Sequence, residues 1–528
     1  MKSIAEQNPI LPKQWERLLV LALLVIGLFF YGLAFMHLRA DFPNFSPWND
    51  WSKTTDEGWY AGGAVHREVF GQWITPGAFN PVVAMPVWSV LAHAWFRVVG
   101  FGIVQLRVAS LLLFGISLLL FFRLIRQAAG LLYAALAVAL LTTNPFVYSF
   151  TRLALLEQAM LFWLLLAWTL SGLTSRRNGS MSALFAILTG CCITSMVLTK
   201  TTGAVLVPAI LWYQWFTADT VTSTSARVRA AIYSTAAAAA SWVTYDLLVI
   251  RPHFADYFVV FSVNNYRVHL SIVPRVAWQT LLAGVWIDPV LYTMALLGLV
   301  LAAWRLRELW RVPLFTAAAL AGAAYLGFIF YHSNLQPRYY LVAAPSVVVI
   351  VVLTLRTLVL RAERSGQDED SSNPVVYQGA AATGCILLLA TLLVMSARTM
   401  RYATHLDYGY LTAMNQVASI IQSDATVHPL LVANEGDNLS LYTGVRSICD
   451  AYHSATPDVL LTRYQPGWYA AMVREKQKTT AGGKQEAMST SIKARYKMEE
   501  RAHFKVFDDP DRHTLVLYRL VPLETIRR

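Results

Sequence analysis

LLVLALLVIGLFFYGLAFM, residues 18–36, carries no charge over the length that an α-helix needs to cross a bilayer. It is longer than the roughly 7–15 apolar residues of a signal-peptide core, and no small-x-small cleavage site precedes Asp41, so it reads as an uncleaved first membrane helix. Similar runs follow near 104–122, 129–147, 153–172, 182–199, 203–217, 229–250, 287–304, 313–331, 339–360 and 376–397. Together these predict about eleven transmembrane helices. The composition agrees: 56% of the 528 residues are hydrophobic and only 14% charged, against about a quarter charged in soluble domains.

One more apolar stretch, 82–100, behaves differently. It follows Pro81, contains Pro86, His93 and Arg97, and ends at Gly100 with Gly102 just beyond, which predicts an amphipathic helix lying in the interface. Basic residues test this. With a cytoplasmic N-terminus, every second loop is basic: Arg123 and Arg126, Arg176 and Arg177, Arg227 and Arg229, Arg305, Arg307 and Arg311, then Arg361 and Arg364. Counting 82–100 as a full span would break that phase from Arg123 onward. The net charge of +12 is therefore a topology signal and gives no basic face for nucleic acid.

This orientation places outside the cytoplasm the first long loop, the turn after Pro145, the Lys200 turn, loop 251–286, the loop from His332 to Arg338, and everything after about 398. The acidic stretch Gln367–Asn373 falls inside as a solvated linker. The tail is no longer membrane-like: a helical pattern over Tyr410–Gln422, an apolar run Pro429–Ala433, a turn at Glu435-Gly436-Asp437 and a strand-like Thr514–Leu520 predict a small α/β domain. The fold expected is thus an α-helical polytopic membrane protein, with a transmembrane domain over 1–397 and an extracytoplasmic α/β domain over 398–528. Cys191 and Cys192, Cys385 and Cys449 form no CxxC motif or disulfide framework.

Four polar clusters fall on the outward side. Asp56 and Glu57 stand in Thr54-Thr55-Asp56-Glu57-Gly58-Trp59-Tyr60-Ala61, where adjacent acids fit either a helix start or a reactive site. Tyr148, Thr151, Arg152 and Glu157 span a corner at Pro145, and Arg152 with Glu157 fits a structural ion pair as well as a binding site. Lys200, in Leu198-Thr199-Lys200-Thr201-Thr202-Gly203, can snorkel or hold a phosphate. Arg338, in Gln336-Pro337-Arg338-Tyr339-Tyr340, and Arg107, which opens another span, are either interface anchors or ligand contacts. Together they supply a carboxylate able to take a proton and cations able to hold an anionic leaving group beside lipid, as sugar transfer from a polyprenyl-phosphate donor requires.

In order and sidedness these residues resemble the GT-C superfamily of polytopic glycosyltransferases, in the branch of the protein O-mannosyltransferases and lipid A aminoarabinose transferases. The likeness rests on Asp56-Glu57 with Tyr60, the Pro-containing Asn80–Leu91, Arg107, Arg152-Leu153-Ala154 with Glu157, Leu198-Thr199-Lys200, and Pro337-Arg338-Tyr339, and covers about 40–400. It implies that Asp56 is the catalytic base with Glu57 beside it, and that Tyr60, Arg107, Arg152, Glu157, Lys200, Arg338 and Tyr339 bind substrate, Arg107 and Lys200 facing the lipid phosphate. One departure is that Asn80-Pro81-Val82-Val83 stands where the aminoarabinose transferases have a second acid-lysine pair.

The reading is an inverting glycosyltransferase of the plasma or inner membrane. Its expected partners are a polyprenyl-phosphate-linked sugar and an extracytoplasmic acceptor, which can be a protein, a lipid-linked glycan or an envelope polysaccharide. No required cofactor is expected, and the outward membrane loops hold no acidic cluster for a divalent metal beyond Asp56-Glu57. The rival is a transporter or lipid flippase, which predicts ionisable residues at mid-bilayer and matched broken helices. Nearly all charges here lie at span ends, Asp246 being the nearest exception.

Overall fold

The computed structural model describes residues 12–42, 56–177, 179–217, 223–263, 270–281, 287–331, 336–365, 374–473, 480–506 and 514–523. Thr54, Thr55, His332 and the acidic linker lie outside them. The chain opens on Lys13–Leu33 (α1), and the first loop holds Asp56–Tyr60 (α2), Gly62–Phe70 (α3) and Pro86–Val99 (α4). The bundle continues through Ile103–Ala129 (α5), Leu131–Thr142 (α6), Pro145–Thr151 (α7), Leu156–Thr174 (α8), Gly179–Thr199 (α9) and Val207–Thr217 (α10). It closes with Thr224–Tyr245 (α11), Phe254–Val263 (α12), Val273–Leu281 (α13), Pro289–Trp304 (α14), Pro313–Tyr331 (α15), Tyr340–Ser365 (α16) and Pro374–Thr404 (α17).

Among the described residues seven helices are long and apolar enough to cross a membrane, with the pair α6 and α7 as an eighth. About eleven were expected from hydropathy. The apolar run 129–147 is not one straight rod: α6 and α7 meet at a 67° bend. Its cause is local. The Asn144 side chain accepts from Phe146 N at 2.9 Å and Val147 N at 3.1 Å, and Pro145 takes the first helical position, so a new helix starts in mid-run. α10 is only 11 residues long, and α11 is built largely from alanine, serine and threonine. α16, apolar all round, runs through the middle, 89% of its membrane-length window buried. In the first loop, Pro86 opens α4 and Gly100, at φ 91°, stops it, leaving Trp88, Ala92 and Phe96 on its buried face.

The C-terminal unit is the expected α/β domain. Gly409–Ser423 (α18), Gly436–Thr443 (α19), Pro457–Tyr464 (α20) and Thr480–Arg495 (α21) surround strands Leu431–Ala433 (β1), Ser447–Cys449 (β2), Trp468–Val473 (β3), Tyr496–Lys505 (β4) and Thr514–Pro522 (β5). The sheet order is β2-β1-β3-β5-β4; the first three strands are parallel and the last two pair antiparallel. Alternation along β1 sends Leu431 and Ala433 to the α18 face, with Met414 and Val417, while Val432 meets Leu460 and Ile492 on the other. The turn expected at Glu435-Gly436-Asp437 is the start of α19.

Candidate active site

Asp56 and Glu57 open α2 and are both buried. Although adjacent, they belong to different ion-pair systems. Glu57 takes a bidentate guanidinium: Arg107 donates from Nε to Oε1 at 2.8 Å and from Nη2 to Oε2 at 2.6 Å, and the Ala154 amide adds a bond to Oε1 at 2.8 Å. The remaining Arg107 donors reach Leu38 O at 2.6 Å, Ala40 O at 2.7 Å and Tyr442 Oη at 2.9 Å. All five N–H groups of Arg107 are thereby engaged by protein. Arg152 works at the same place, its Nη2 donating to Met36 O at 2.9 Å and His37 O at 2.8 Å while its guanidinium lies 5.1 Å from the centre of the Tyr148 ring. A helix C-terminus leaves carbonyls without partners, and cations are favoured there. Arg107 and Arg152 thus serve the carbonyls beyond the end of α1.

Asp56 faces the second system. Its Oδ2 lies 2.9 Å from Arg338 Nη1, and Arg338 Nη2 donates to Tyr60 Oη at 3.2 Å. Glu157, in the first turn of α8, pairs with Lys200 and lies 3.8 Å from Arg338 Nε. The Lys200 ammonium sits over two rings, 4.2 Å from the centre of Tyr339 and 5.9 Å from that of Tyr60. Lys200 gets there through a tight turn between α9 and the 3-10 segment Thr201–Leu206, where a Cβ on Gly203 would come within 2.9 Å of Met196 O. Arg338 is carried by the 3-10 turn Pro337–Tyr339 that leads into α16.

Every predicted site residue is therefore near one end of the bundle, but they fall into two groups. Asp56, Tyr60, Glu157, Lys200, Arg338 and Tyr339 form one cluster; Glu57, Arg107 and Arg152 form a frame beside it. Two expectations change. Arg107 was expected to face a lipid phosphate, yet its donors are all spent on Glu57, Tyr442 and two carbonyls. The ion pair entertained between Arg152 and Glu157 is absent among the described residues, because Glu157 turns to Lys200. The cluster is balanced, Asp56 and Glu157 against Arg338 and Lys200, and the additional cation, Arg152, belongs to the frame.

Sequence reading missed a third set, from the C-terminal domain and the loop it meets. His66 Nε2 lies 3.1 Å from Asp437 Oδ1, Gly58 N donates to Asn438 Oδ1 at 2.7 Å, and Asp41 accepts from Tyr410 N at 2.7 Å and Leu411 N at 3.2 Å. These pairs are separated by about 370 residues or more, so no local pattern announces them. Among the described residues no group of three or more His, Cys, Asp or Glu side chains is arranged to hold a metal ion.

Residues 81–245 match the family of dolichyl-phosphate-mannose-protein mannosyltransferases. No curated protein matches by sequence. Among solved structures, the chain is similar to ArnT from Cupriavidus metallidurans bound to undecaprenyl phosphate, with TM-score 0.54 at 14% identity over 96% of this chain and 98% of that one. The apo state of the same protein gives TM-score 0.55 at 13% identity, with the same coverage of both chains. The oligosaccharyltransferase of Archaeoglobus fulgidus in the apo form gives 0.50 at 10% identity, covering 87% of this chain and 70% of that one. The likeness extends past the helical bundle and includes the small sheet domain, so the resemblance read from the motifs is borne out: this is an integral membrane protein with the fold of the GT-C glycosyltransferases.

Proposed function

We propose that the protein transfers a sugar from a polyprenyl-phosphate donor to an extracytoplasmic acceptor, with inversion at the anomeric carbon and Asp56 as the general base. The observation that carries this reading is the buried cluster in which Asp56, Arg338, Glu157 and Lys200 meet between Tyr60 and Tyr339. A carboxylate and two cations within one cluster suit a reaction that takes a proton at one point and releases a phosphate at another. A bound undecaprenyl phosphate in the similar ArnT structure supports a lipid-phosphate donor.

In this mechanism the acceptor hydroxyl attacks the anomeric carbon from the face opposite the phosphate. The new C–O bond forms as the bond to the phosphate oxygen breaks, and the acceptor proton passes to Asp56. Lys200 and Arg338 hold the departing phosphate. Glu157 keeps both cations in place, and Tyr60 and Tyr339 line the site. Arg338 also pairs with Asp56, and a neighbouring cation depresses the basicity of a carboxylate. A phosphate that draws Arg338 to itself therefore raises the basicity of Asp56 at the moment the donor is bound. Glu57, Arg107 and Arg152 form the frame. The N-terminus is cytoplasmic and residues beyond about 398 lie outside, in keeping with the basic loops.

The test is turnover of a polyprenyl-phosphate sugar by the purified full chain in lipid, with the anomeric configuration of the product read by NMR. Transfer with inversion is expected. Retention of configuration would remove Asp56 from the role of base, and absence of transfer from every polyprenyl-phosphate sugar, to protein and glycan acceptors alike, would overturn the donor class.

A further inference from the structure

The short helix that carries the two acids is too short to hold its own shape. A five-residue helix has almost no internal hydrogen bonding to offset the cost of nucleation. Glu57 and Arg107 fix one side of it; the other side is fixed by the C-terminal domain. Gly58 donates its amide to Asn438 Oδ1 at 2.7 Å across 380 residues. The backbones are in direct contact there, since a Cβ on Gly58 would lie 2.3 Å from Asn438 N and 2.4 Å from Asp437 C. Trp59 Nε1 donates to Asn434 O at 3.3 Å. His66, on α3, meets Asp437 at 3.1 Å, with both side chains almost wholly buried. Asn438 is itself tied by a hydrogen bond to Tyr410 of α18, and α19 reaches Glu57 a second time through Tyr442 and Arg107.

The position of these contacts in the domain is informative. Asn434 to Asn438 follow β1, at the carboxyl end of the parallel strands. Open α/β sheets commonly hold ligands at that edge, where the strand order reverses. Here the strand order reverses about β1, between β2 and β3, and the edge holds protein: the acid-bearing α2 of the membrane domain.

We propose that the C-terminal domain is a wall of the active site, and that Asn438, acting through Gly58, is the positioning residue for Asp56 two residues earlier. This rests on the reading of Asp56 as the base. The carboxylate has to meet one acceptor oxygen, and misplacement by about 1 Å can cost on the order of a hundredfold in rate. Asn438 holds the backbone that sets its place without touching substrate.

The experiment uses the full chain in lipid nanodiscs and compares wild type with Asn438→Ala, Asn438→Asp and Gly58→Ala. Turnover with a polyprenyl-phosphate sugar gives kcat and donor KM, and hydrogen exchange of the peptide covering 56–66 is measured in parallel. Asn438→Ala is expected to lower kcat about ten- to a hundredfold while donor KM stays within about threefold, and to speed exchange in 56–66. Asn438→Asp keeps an acceptor for the Gly58 amide and should recover most of the lost kcat. Gly58→Ala should do at least as much harm as Asn438→Ala, because its methyl collides with the loop. Unchanged kcat in Asn438→Ala overturns the proposal. So does a joint fall of kcat, donor affinity and thermal stability with no rescue by Asn438→Asp, since that pattern marks simple unfolding. If wild type transfers no sugar but Asn438→Ala still frees 56–66 to exchange, the glycosyltransfer reading fails while the domain contact stands.

Discussion

Glu57 and Asp56 differ by one methylene and one position, yet their surroundings divide them sharply. Glu57 receives three donors, two from Arg107 and one from the Ala154 amide. That guanidinium in turn uses every donor it has. Such a closed system joins the exit of α1, the start of α5 and the C-terminal domain. Asp56 instead shares the Arg338 guanidinium with Tyr60 and stands in a cluster where two carboxylates, two cations and two tyrosines meet. The lesson is that two adjacent buried acids can serve different ends: Glu57, engaged by Arg107 and the Ala154 amide, ties three parts of the chain together, whereas Asp56 joins the balanced cluster on which the proposed chemistry rests.

The comparison is broken most severely by emptying the strut. Arg107→Ala should cost about 3–5 kcal/mol of stability, the usual consequence of leaving a buried partner charge uncompensated. Yield and the temperature of unfolding should drop, with donor affinity in the surviving folded fraction close to normal. Measuring both separates the strut from a phosphate ligand: a stable Arg107→Ala protein with weakened donor binding would reverse the assignment. Asp56→Asn should do the opposite, keeping the fold and donor binding while turnover falls at least about a hundredfold. An Asp56→Asn protein within a few-fold of wild type would falsify the base role.

A smaller effect is expected at Lys200. A charge-assisted contact to phosphate is worth roughly 1.5–3 kcal/mol, so Lys200→Ala should weaken donor use by one to two orders of magnitude. Its removal also leaves Glu157 next to Arg338 alone. Lys200→Ala with normal donor KM would show that the ammonium serves Glu157 and the two rings and nothing else.

The sequence was most legible where length and order suffice. Apolar runs give the bundle, and the order of Asp56, Arg107, Glu157, Lys200 and Arg338 along them anticipates that all five gather at one end of it. How they divide was not legible, because pairing depends on which side chains meet after four or more helices have packed. Arg107 and Arg338 look alike as basic residues opening a span, but only Arg107 finds carbonyls of the α1 exit within reach. The domain contact was invisible for the same reason: Asn438 and Asp437 read as an ordinary turn until Gly58 and His66 are set against them. The bend at Asn144, inside a run read as one span, was missed although an Asn-Pro pair is itself a helix-start signal.

The mildest test concerns the seam between the two units. Asp41 lies beyond α1, outside the membrane span, and accepts from the Tyr410 and Leu411 amides at the start of α18. Burial pushes its carboxyl up to about 7; the amide bonds and Arg107 pull the other way, and Asp407 adds to the rise. An acid whose folded value lies above its ordinary value of 3.8 keeps a proton that the unfolded chain has already lost. Its contribution to stability is therefore complete below about 4 and fades as the pH rises through about 7. Lowering the pH from 8 to 6 should stabilise the wild-type protein by about 1 kcal/mol at this site, seen as a rise of about one degree in Tm. Other groups titrate in the same range, so the quantity to read is the difference from Asp41→Asn, which has no proton to gain and keeps an acceptor oxygen for one of the two amides. Whatever the offset from the amide bond that Asn cannot keep, wild type should gain on that variant by about 1 kcal/mol between pH 8 and pH 6. Parallel Tm profiles for the two proteins across pH 6 to 8 would mean that Asp41 stays charged at the seam, with the amides and Arg107 outweighing its burial.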